Sequence, residues 1–189
     1  MMRVVLSRVF VITGPSGVGK GTLIRALRER VPEIELSVSA TTREPRPGER
    51  DAVDYHFLGR DRFDERIAAG DFLEWAEYSG NRYGTLRSEV EGRTERGAPV
   101  VLEIEVQGAR QVRETMPDAI RIFIEPPDAD ELRARLETRG TDDAETIDRR
   151  LEVAARELRA KDEFSHRVLN DEIERASNEL AGIVRSALD

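Results

Sequence analysis

The feature that most constrains this chain is a glycine-rich loop between a short apolar strand and a helix. Residues 8–13 are a β-branched run typical of a buried strand, and residues 20–30 have a helical pattern that ends before Pro32. The loop between them is Gly14-Pro15-Ser16-Gly17-Val18-Gly19-Lys20. Such a loop directs backbone N–H groups and the positive end of the helix dipole toward an anion. It predicts a phosphate-binding loop for a di- or triphosphate in which Lys20 bridges the β- and γ-phosphates, with a purely structural turn as the alternative.

The residues after the loop bear on magnesium. Loops of this type continue with a Ser or Thr whose hydroxyl binds Mg²⁺. Here Gly21 follows Lys20, and Thr22 comes one residue later. Since glycine carries no side chain, we expect Thr22 to act instead, directly or through a water molecule.

The pattern along the chain predicts a single α/β unit with a parallel sheet flanked by helices. An inserted block interrupts the alternation of strands and helices between residues 36 and 97. Strands are predicted at 8–13, 53–58, 72–78, 99–104, 119–124 and 167–169. Helices are predicted at 20–30, 61–69, 86–96, 107–115, 128–139, 144–161 and 172–187.

Composition excludes several classes of function. The formal net charge of −8 argues against binding a nucleic acid polymer, which requires a broad basic surface. The absence of cysteine excludes disulfides and thiolate zinc sites. No apolar run approaches the 18 residues or so of a membrane span, so we expect a cytoplasmic protein.

The inserted block carries residues suited to a purine monophosphate. Arg43 and Arg46, three residues apart in a Pro/Gly-rich loop, can hold one phosphate with bidentate guanidinium groups. A buried Glu74 can accept hydrogen bonds from guanine N1–H and the N2 amine, while Ser39 and Thr85 hydroxyls can donate to O6. Taken singly, each residue has an ordinary alternative, such as a solvated arginine or a core tyrosine.

Several motifs, in order and at the expected spacing, resemble the guanylate kinase family over about residues 8–187. Besides the phosphate loop, they are Ser39-Ala40-Thr41-Thr42-Arg43-x2-Arg46-x-Gly48-Glu49, Asp54-Tyr55-x-Phe57, Tyr83-Gly84-Thr85, Glu103-Ile104-Glu105-x-Gln107-Gly108 and Arg135-Leu136-x2-Arg139-Gly140-Thr141-Asp142. The resemblance implies a core (1–36, 98–127 and 157–189), a mixed α/β GMP-binding subdomain (37–97) and a helical lid (128–156). It also implies that Ser39, Glu74 and Thr85 read guanine, and that Arg43, Arg46, Tyr55 and Tyr83 hold the GMP phosphate.

The resemblance extends to the remaining candidate residues. Glu105 becomes a contact for GMP or for hydrated magnesium, although Glu103 shares its strand face and the choice between them stays open. Asn170 resembles the family's adenine-side contact, with capping of the last helix as an equal alternative. The ATP-binding set is then Gly14, Pro15, Ser16, Gly17, Val18, Gly19, Lys20, Gly21, Thr22, Arg135, Arg139 and Asn170.

The implied reaction is Mg²⁺-dependent transfer of the γ-phosphoryl group from ATP to GMP, and dGMP is an expected second acceptor. A phosphate monoester is already largely ionised at neutral pH because its second pKa is near 6, so no general base is needed. Charge neutralisation is expected from Lys20, Arg43, Arg135, Arg139 and Arg150, although surface ion pairing is a serious alternative for the last three.

Two rival functions remain open from the sequence. One is a kinase for another small phosphorylated substrate, and the other is a non-catalytic binding domain of the same fold. The expected partners are ATP and GMP, with no membrane, in a monomer or small homo-oligomer.

Overall fold

The computed structural model describes residues 8–78, 80–138 and 144–189. Within them the strands are β1 (Val9–Thr13), β2 (Glu35–Leu36), β3 (Ala40–Thr41), β4 (His56–Phe57), β5 (Phe72–Tyr78), β6 (Asn81–Leu86), β7 (Val100–Glu103), β8 (Ile120–Glu125) and β9 (His166–Leu169). The helices are α1 (Lys20–Arg30), α2 (Arg60–Ala68), α3 (Arg87–Thr94), α4 (Val106–Thr115), α5 (Ala129–Thr138), α6 (Ala144–Leu158) and α7 (Ile173–Leu188).

The main sheet has the strand order β2-β7-β1-β8-β9, and every neighbouring pair is parallel. Side chains of the central strand β1 alternate between its two faces. Phe10 and Ile12 pack in one buried cluster with α1 and α7, whereas Val9 and Val11 pack in another with α3 and α4. Helices therefore cover both faces, and the predicted α/β fold with a parallel sheet is confirmed.

A second sheet is inserted between β2 and β7, with the order β4-β3-β6-β5 and mixed pairing. Its own small core includes Phe63 of α2, stacked on Phe72 of β5 at 4.4 Å between ring centroids. The helices α5 and α6 contact each other farther along the chain. The boundaries of core, subdomain and lid given above remain predictions.

Short strands account for most of the differences from the predicted elements. β2, β3 and β6 were not predicted, and the strand expected over 53–58 is reduced to His56–Phe57. Two-residue strands leave no periodic pattern, and β6 includes Gly84, which weakens its strand signal. The helix predicted to reach residue 161 ends at Leu158, and a 3-10 turn over Lys161–Glu163 follows.

Among the described residues, no helix combines the length and the apolar character that crossing a membrane requires.

Candidate functional site

The phosphate loop depends on two glycines in particular. Gly19 precedes α1 in a left-handed conformation with φ 97°, which disfavours residues that carry a Cβ. Gly14 lies so close to β8 that a Cβ would be 2.6 Å from the carbonyl oxygen of Ile124. The first turn of α1 contains no acidic residue, so its N-terminal partial charge is available to an anion.

Lys20 is folded over this loop and only 9% exposed. Its Nζ donates a hydrogen bond to the Gly14 carbonyl and lies 3.8 Å from Oε1 of Glu105. A cleft opens here, lined by Pro15, Ser16, Gly17, Gly19, Lys20, Gly21, Glu103 and Glu105. One buried cation thus faces carboxylates across a space lined by the phosphate loop.

Glu157 belongs to the same cluster, and the sequence analysis missed it. Burial raises its pKa to about 8, helped by a hydrogen bond with Glu105 and by the charge of Glu105. Lys20 and the Ser16 backbone N–H oppose that shift. Its buried Oε2 has no hydrogen-bond partner within the described part of the chain. Two carboxyl groups can form a hydrogen bond only when one of them carries a proton. Nothing in the sequence distinguishes this residue from the many exposed acids of α6.

The acids at the end of β7 fit a magnesium ion bound mainly through nucleotide phosphates and water. The described part of the chain has no group of three His, Cys, Asp or Glu that could hold a metal ion. Magnesium commonly uses one or two carboxylates with phosphates and water, and Glu103 and Glu105 supply such oxygens at the cleft. Thr22 is half-buried in the first turn of α1, one residue beyond the loop residues that line the cleft.

The predicted guanine-reading residues meet at the junction of the second sheet and α4. Glu74 on β5 is paired with Thr85 on β6, and the Thr85 hydroxyl donates to Oε1 of Glu74 at 2.7 Å. Burial raises the pKa of Glu74, while hydrogen bonds from the Thr85 side chain and backbone oppose the shift. Ala40 pairs with Gly84, which brings Ser39 to the same end of the strand pair as Thr85.

The segment that carries Ser39 is held by α3. Oε1 of Glu89 accepts a hydrogen bond from the Val38 N–H at 3.0 Å, and Oε2 lies 3.2 Å from Nε2 of His56. The His56 backbone N–H in turn donates to the Ser39 carbonyl at 2.9 Å. A side chain that no motif identified therefore fixes the backbone on both sides of a candidate guanine contact.

The predicted phosphate-holding residues form a second cluster around Arg43. Its guanidinium lies 5.4 Å from the centroid of the Tyr55 ring, which is 6.2 Å from the ring of Tyr83. Nη2 of Arg43 donates to both carboxylate oxygens of Glu49, at 2.8 and 2.9 Å. Arg46 is exposed, and its backbone N–H donates to the same carboxylate at 2.7 Å.

These contacts define the electrostatics of the cluster. The hydrogen bond from Arg43, followed by that from the Arg46 backbone, lowers the pKa of Glu49. Burial raises the pKa of the Tyr55 phenol, which therefore remains a neutral hydrogen-bond donor. Glu49 places an anionic group against the arginine that the resemblance assigns to a phosphate.

Arg135 and Asn170 both contact the phosphate loop. Arg135 donates to the Val18 carbonyl at 3.2 Å and to the Asn170 carbonyl at 2.9 Å, while its Nε donates to Glu131 at 2.9 Å. The Asn170 side chain donates to Val18 at 2.7 Å. The alternative that Asn170 caps the last helix is wrong, because the N-cap of α7 is Glu172, without a side-chain cap.

The other two arginines of the predicted lid are Arg139 and Arg150. Arg150 is half-buried on α6, and its neighbour Arg149 is exposed, 3.8 Å from Glu145 on the same helix. Arg139 lies outside the described residues.

Comparison with known proteins gives one consistent family. The family model described as guanylate kinase matches residues 6–187. A guanylate kinase of Synechococcus sp. (strain CC9311) is 54% identical over 175 residues, covering 93% of this chain and 92% of the relative. One from Rubrobacter xylanophilus is 53% identical over 178 residues, covering 94% and 93%. The crystal structure of guanylate kinase from Anaplasma phagocytophilum superposes with a TM-score of 0.72 at 31% identity, covering 94% of this chain and 84% of the other.

Proposed function

The chain belongs to the guanylate kinase family and phosphorylates GMP with ATP; we propose that the ATP phosphates bind the loop at Lys20 and that GMP binds at Glu74. The observation that carries this assignment is the buried Glu74 carboxylate held by Thr85. The sequence left two alternatives open, a kinase for another substrate and a non-catalytic domain. The similarity to guanylate kinases over nearly the whole chain favours the family's activity over both.

Guanine recognition follows from the pairing of hydrogen-bond donors and acceptors. Glu74 is 5% exposed, so a bound base would contact a carboxylate with little competing water. Guanine offers two donors, N1–H and the N2 amine, on one edge. Adenine would place the N1 lone pair against the carboxylate, at a cost of about 2–4 kcal/mol by analogy with other unpaired buried polar groups. Ser39 and Thr85 would complete the site at guanine O6.

The GMP phosphate would bind among Arg43, Arg46, Tyr55 and Tyr83. In the structure Nη2 of Arg43 already donates hydrogen bonds to both carboxylate oxygens of Glu49. An incoming phosphate would compete with this carboxylate for the guanidinium and would gain hydrogen bonds from the tyrosine hydroxyls.

At the phosphate loop, Lys20 would exchange the Gly14 carbonyl for phosphate oxygens. Arg135, Arg139 and Arg150 would add positive charge around the transferring group, while Asn170 lies on the adenine side. An oxygen of the GMP phosphate forms a bond to the γ-phosphorus of ATP. At the same time the bond breaks between that phosphorus and the oxygen that bridges it to the β-phosphorus, and ADP leaves. The protein's contribution is alignment and charge neutralisation, with no proton to remove.

Magnesium would be held by ATP phosphates and water, with Glu103, Glu105 and Thr22 as the candidate protein contacts. The ion would supply positive charge to the phosphates during transfer. The position of Glu105 beside the loop cleft, 3.8 Å from Lys20, supports this proposal.

The proposal also covers the domain organisation, the cellular location and the oligomeric state. We infer a core, a GMP-binding subdomain over 37–97 and a lid over 128–156 that closes over both substrates and excludes water. We further infer a cytoplasmic monomer or small homo-oligomer that acts on free nucleotides, dGMP included.

The test is a steady-state comparison of GMP, dGMP, AMP, UMP and dTMP as acceptors, with ATP and Mg²⁺ present. GMP should exceed AMP in kcat/KM by at least about 10²-fold, as expected when a buried polar site rejects a mismatched edge. Comparable values for GMP and AMP would contradict the assignment of Glu74.

A further inference from the structure

The strand that carries Glu74 lies at the edge of its sheet. The order β4-β3-β6-β5 leaves β5 with a strand neighbour on one side only. In addition, the pairing of β5 with β6 shifts register between Phe72 and Glu74. A bulge of this kind disrupts the ladder locally, so the neighbouring strand alone does not fix the position of Glu74 tightly.

Helix α4 supplies the hydrogen bonds that a further strand would have made. Oε1 of Gln111 accepts from the Trp75 N–H at 3.1 Å, and its Nε2 donates to the Trp75 carbonyl at 2.7 Å. The Thr115 hydroxyl donates to the Leu73 carbonyl at 2.9 Å. The residues on both sides of Glu74 are therefore bound to one helix.

Glu74 itself contacts the same face of that helix. A Cβ at Gly108 would lie 2.5 Å from Oε2 of Glu74, so the glycine is what allows the carboxylate to approach. Positions 108, 111 and 115 are three and four residues apart and lie along one helical stripe. Along this stripe, Gly108 lies against Glu74, Gln111 bonds to Trp75 and Thr115 bonds to Leu73.

We propose that Gln111 is a positioning residue for guanine recognition, which it serves by holding the Trp75 backbone and with it the Glu74 carboxylate. The inference rests on the proposed GMP site. Because α4 begins directly after Glu105, which lies near Lys20, the same helix also links the guanine reader to the phosphate loop. Its effect should fall on GMP and spare ATP.

The experiment compares Gln111→Met with a matched control, Glu114→Met. Methionine approximates the length of glutamine but makes neither hydrogen bond to Trp75. Glu114 lies on the exposed side of the same helix. For each variant we would measure kcat, the KM for GMP, the KM for ATP and the melting temperature.

A second readout reports the base edge directly. IMP lacks the N2 amine of guanine, so the ratio of kcat/KM for GMP to that for IMP measures how well the carboxylate meets that amine. Gln111→Met should raise the KM for GMP about 10-fold and lower the GMP:IMP ratio about 5-fold, as expected for loss of about 1–1.4 kcal/mol of differential binding. The KM for ATP should stay within about 2-fold, and Glu114→Met should match the parent.

The milder Thr115→Val keeps the test open if Gln111→Met unfolds. It removes the hydroxyl that donates to the Leu73 carbonyl and, within the helix, to the Gln111 carbonyl. The GMP:IMP ratio should shift in the same direction by a smaller factor. A loss of melting temperature with an unchanged GMP:IMP ratio in folded variants would overturn the inference, since it would leave only a structural role.

Including Glu74→Gln separates the two levels of inference. If Glu74→Gln lowers the GMP:IMP ratio and Gln111→Met does not, the positioning role fails while the guanine site stands. If neither variant changes the ratio, the guanine site itself is wrong and the role of Gln111 falls with it.

Discussion

The phosphate loop consists of consecutive residues from Gly14 to Lys20, whereas the proposed guanine pocket takes Ser39, Glu74 and Thr85 from three separated segments. In the loop, backbone N–H groups and one buried lysine would face the ligand, and Gly19 provides the left-handed conformation before α1. In the proposed pocket, side chains would face the ligand and the backbone would hold them. The loop is therefore a local structure, while the proposed pocket exists only when the strands of the second sheet and α4 have come together.

This difference predicts that the two halves can be damaged independently. Changes in the loop should affect phosphoryl transfer without affecting recognition of the base. Changes in the pocket should affect GMP and leave ATP binding intact.

The largest effect is expected from Lys20→Ala. Removal of the ammonium group takes away positive charge at the transferring phosphates, and we expect kcat to fall by about 10³-fold or more. Binding of GMP, measured by calorimetry without ATP, should change by less than about 3-fold. A substitution at a distant site is expected to change the binding free energy by less than about 1 kcal/mol.

Lys161 provides a matched control, because it is the only other lysine in the chain. Its Nζ pairs with Glu125 at 3.0 Å, away from the cleft. Lys161→Ala should retain kcat, and a comparable loss in both variants would contradict a specific role for Lys20.

Glu74→Gln should have the next largest effect, on the opposite half. The amide nitrogen of glutamine can point a donor toward the donors of guanine, and the charge is lost. We expect kcat/KM for GMP to fall about 10²-fold, in the range seen when a charged buried partner is removed. The KM for ATP should change little.

Glu77→Gln is the control for this change, on the exposed end of the same strand. It should leave both Michaelis constants near those of the parent enzyme. Equal weakening of GMP and ATP by Glu74→Gln would break the proposed separation between the halves.

How far the sequence predicts each half follows from the same contrast. The loop between β1 and α1 was predicted with its flanking elements because all its determinants are contiguous. Glu74, Ser39 and Thr85 could be suggested from donor and acceptor chemistry, but their grouping came from family resemblance. Glu157, Gln111 and Glu89 were missed, since a single polar residue on a helix gives no sign of what another segment will bring against it.

Gly108→Ala tests how closely α4 approaches the proposed guanine pocket. A Cβ would be 2.5 Å from Oε2 of Glu74, so the carboxylate or the helix must move. We expect the KM for GMP to rise about 10-fold, with at most a small change in the KM for ATP, as befits a displacement worth about 1–2 kcal/mol. Gly182→Ala on α7, where a Cβ meets nothing within 4 Å, is the control. An unchanged KM for GMP in Gly108→Ala would show that the pocket tolerates displacement of Glu74.

The smallest effect is expected from Glu157→Gln. The Glu157 carboxyl group forms a hydrogen bond with that of Glu105 beside the phosphate loop. Its pKa of about 8 lies above the ordinary value of 4.5, so the folded protein retains a proton that the unfolded chain has lost at intermediate pH. The resulting stabilisation is fully present below about pH 4.5 and is lost as the pH rises through about 8. Glu157→Gln keeps the shape and removes the titration. The stability difference between variant and parent should therefore increase in favour of the variant by about 1–2 kcal/mol between pH 5 and pH 9, after allowance for solvent screening.

Urea unfolding of the nucleotide-free protein at a series of pH values measures this difference. Glu152→Gln, an exposed change on the same helix, is the matched control for the substitution itself. A pH-independent difference for Glu157→Gln would contradict the raised pKa of Glu157. Such a result would mean that Glu157 is solvated like a surface carboxylate. The expected result would mean that burial raises the pKa of a carboxyl group in both regions, at Glu157 beside the loop and at Glu74 in the proposed pocket.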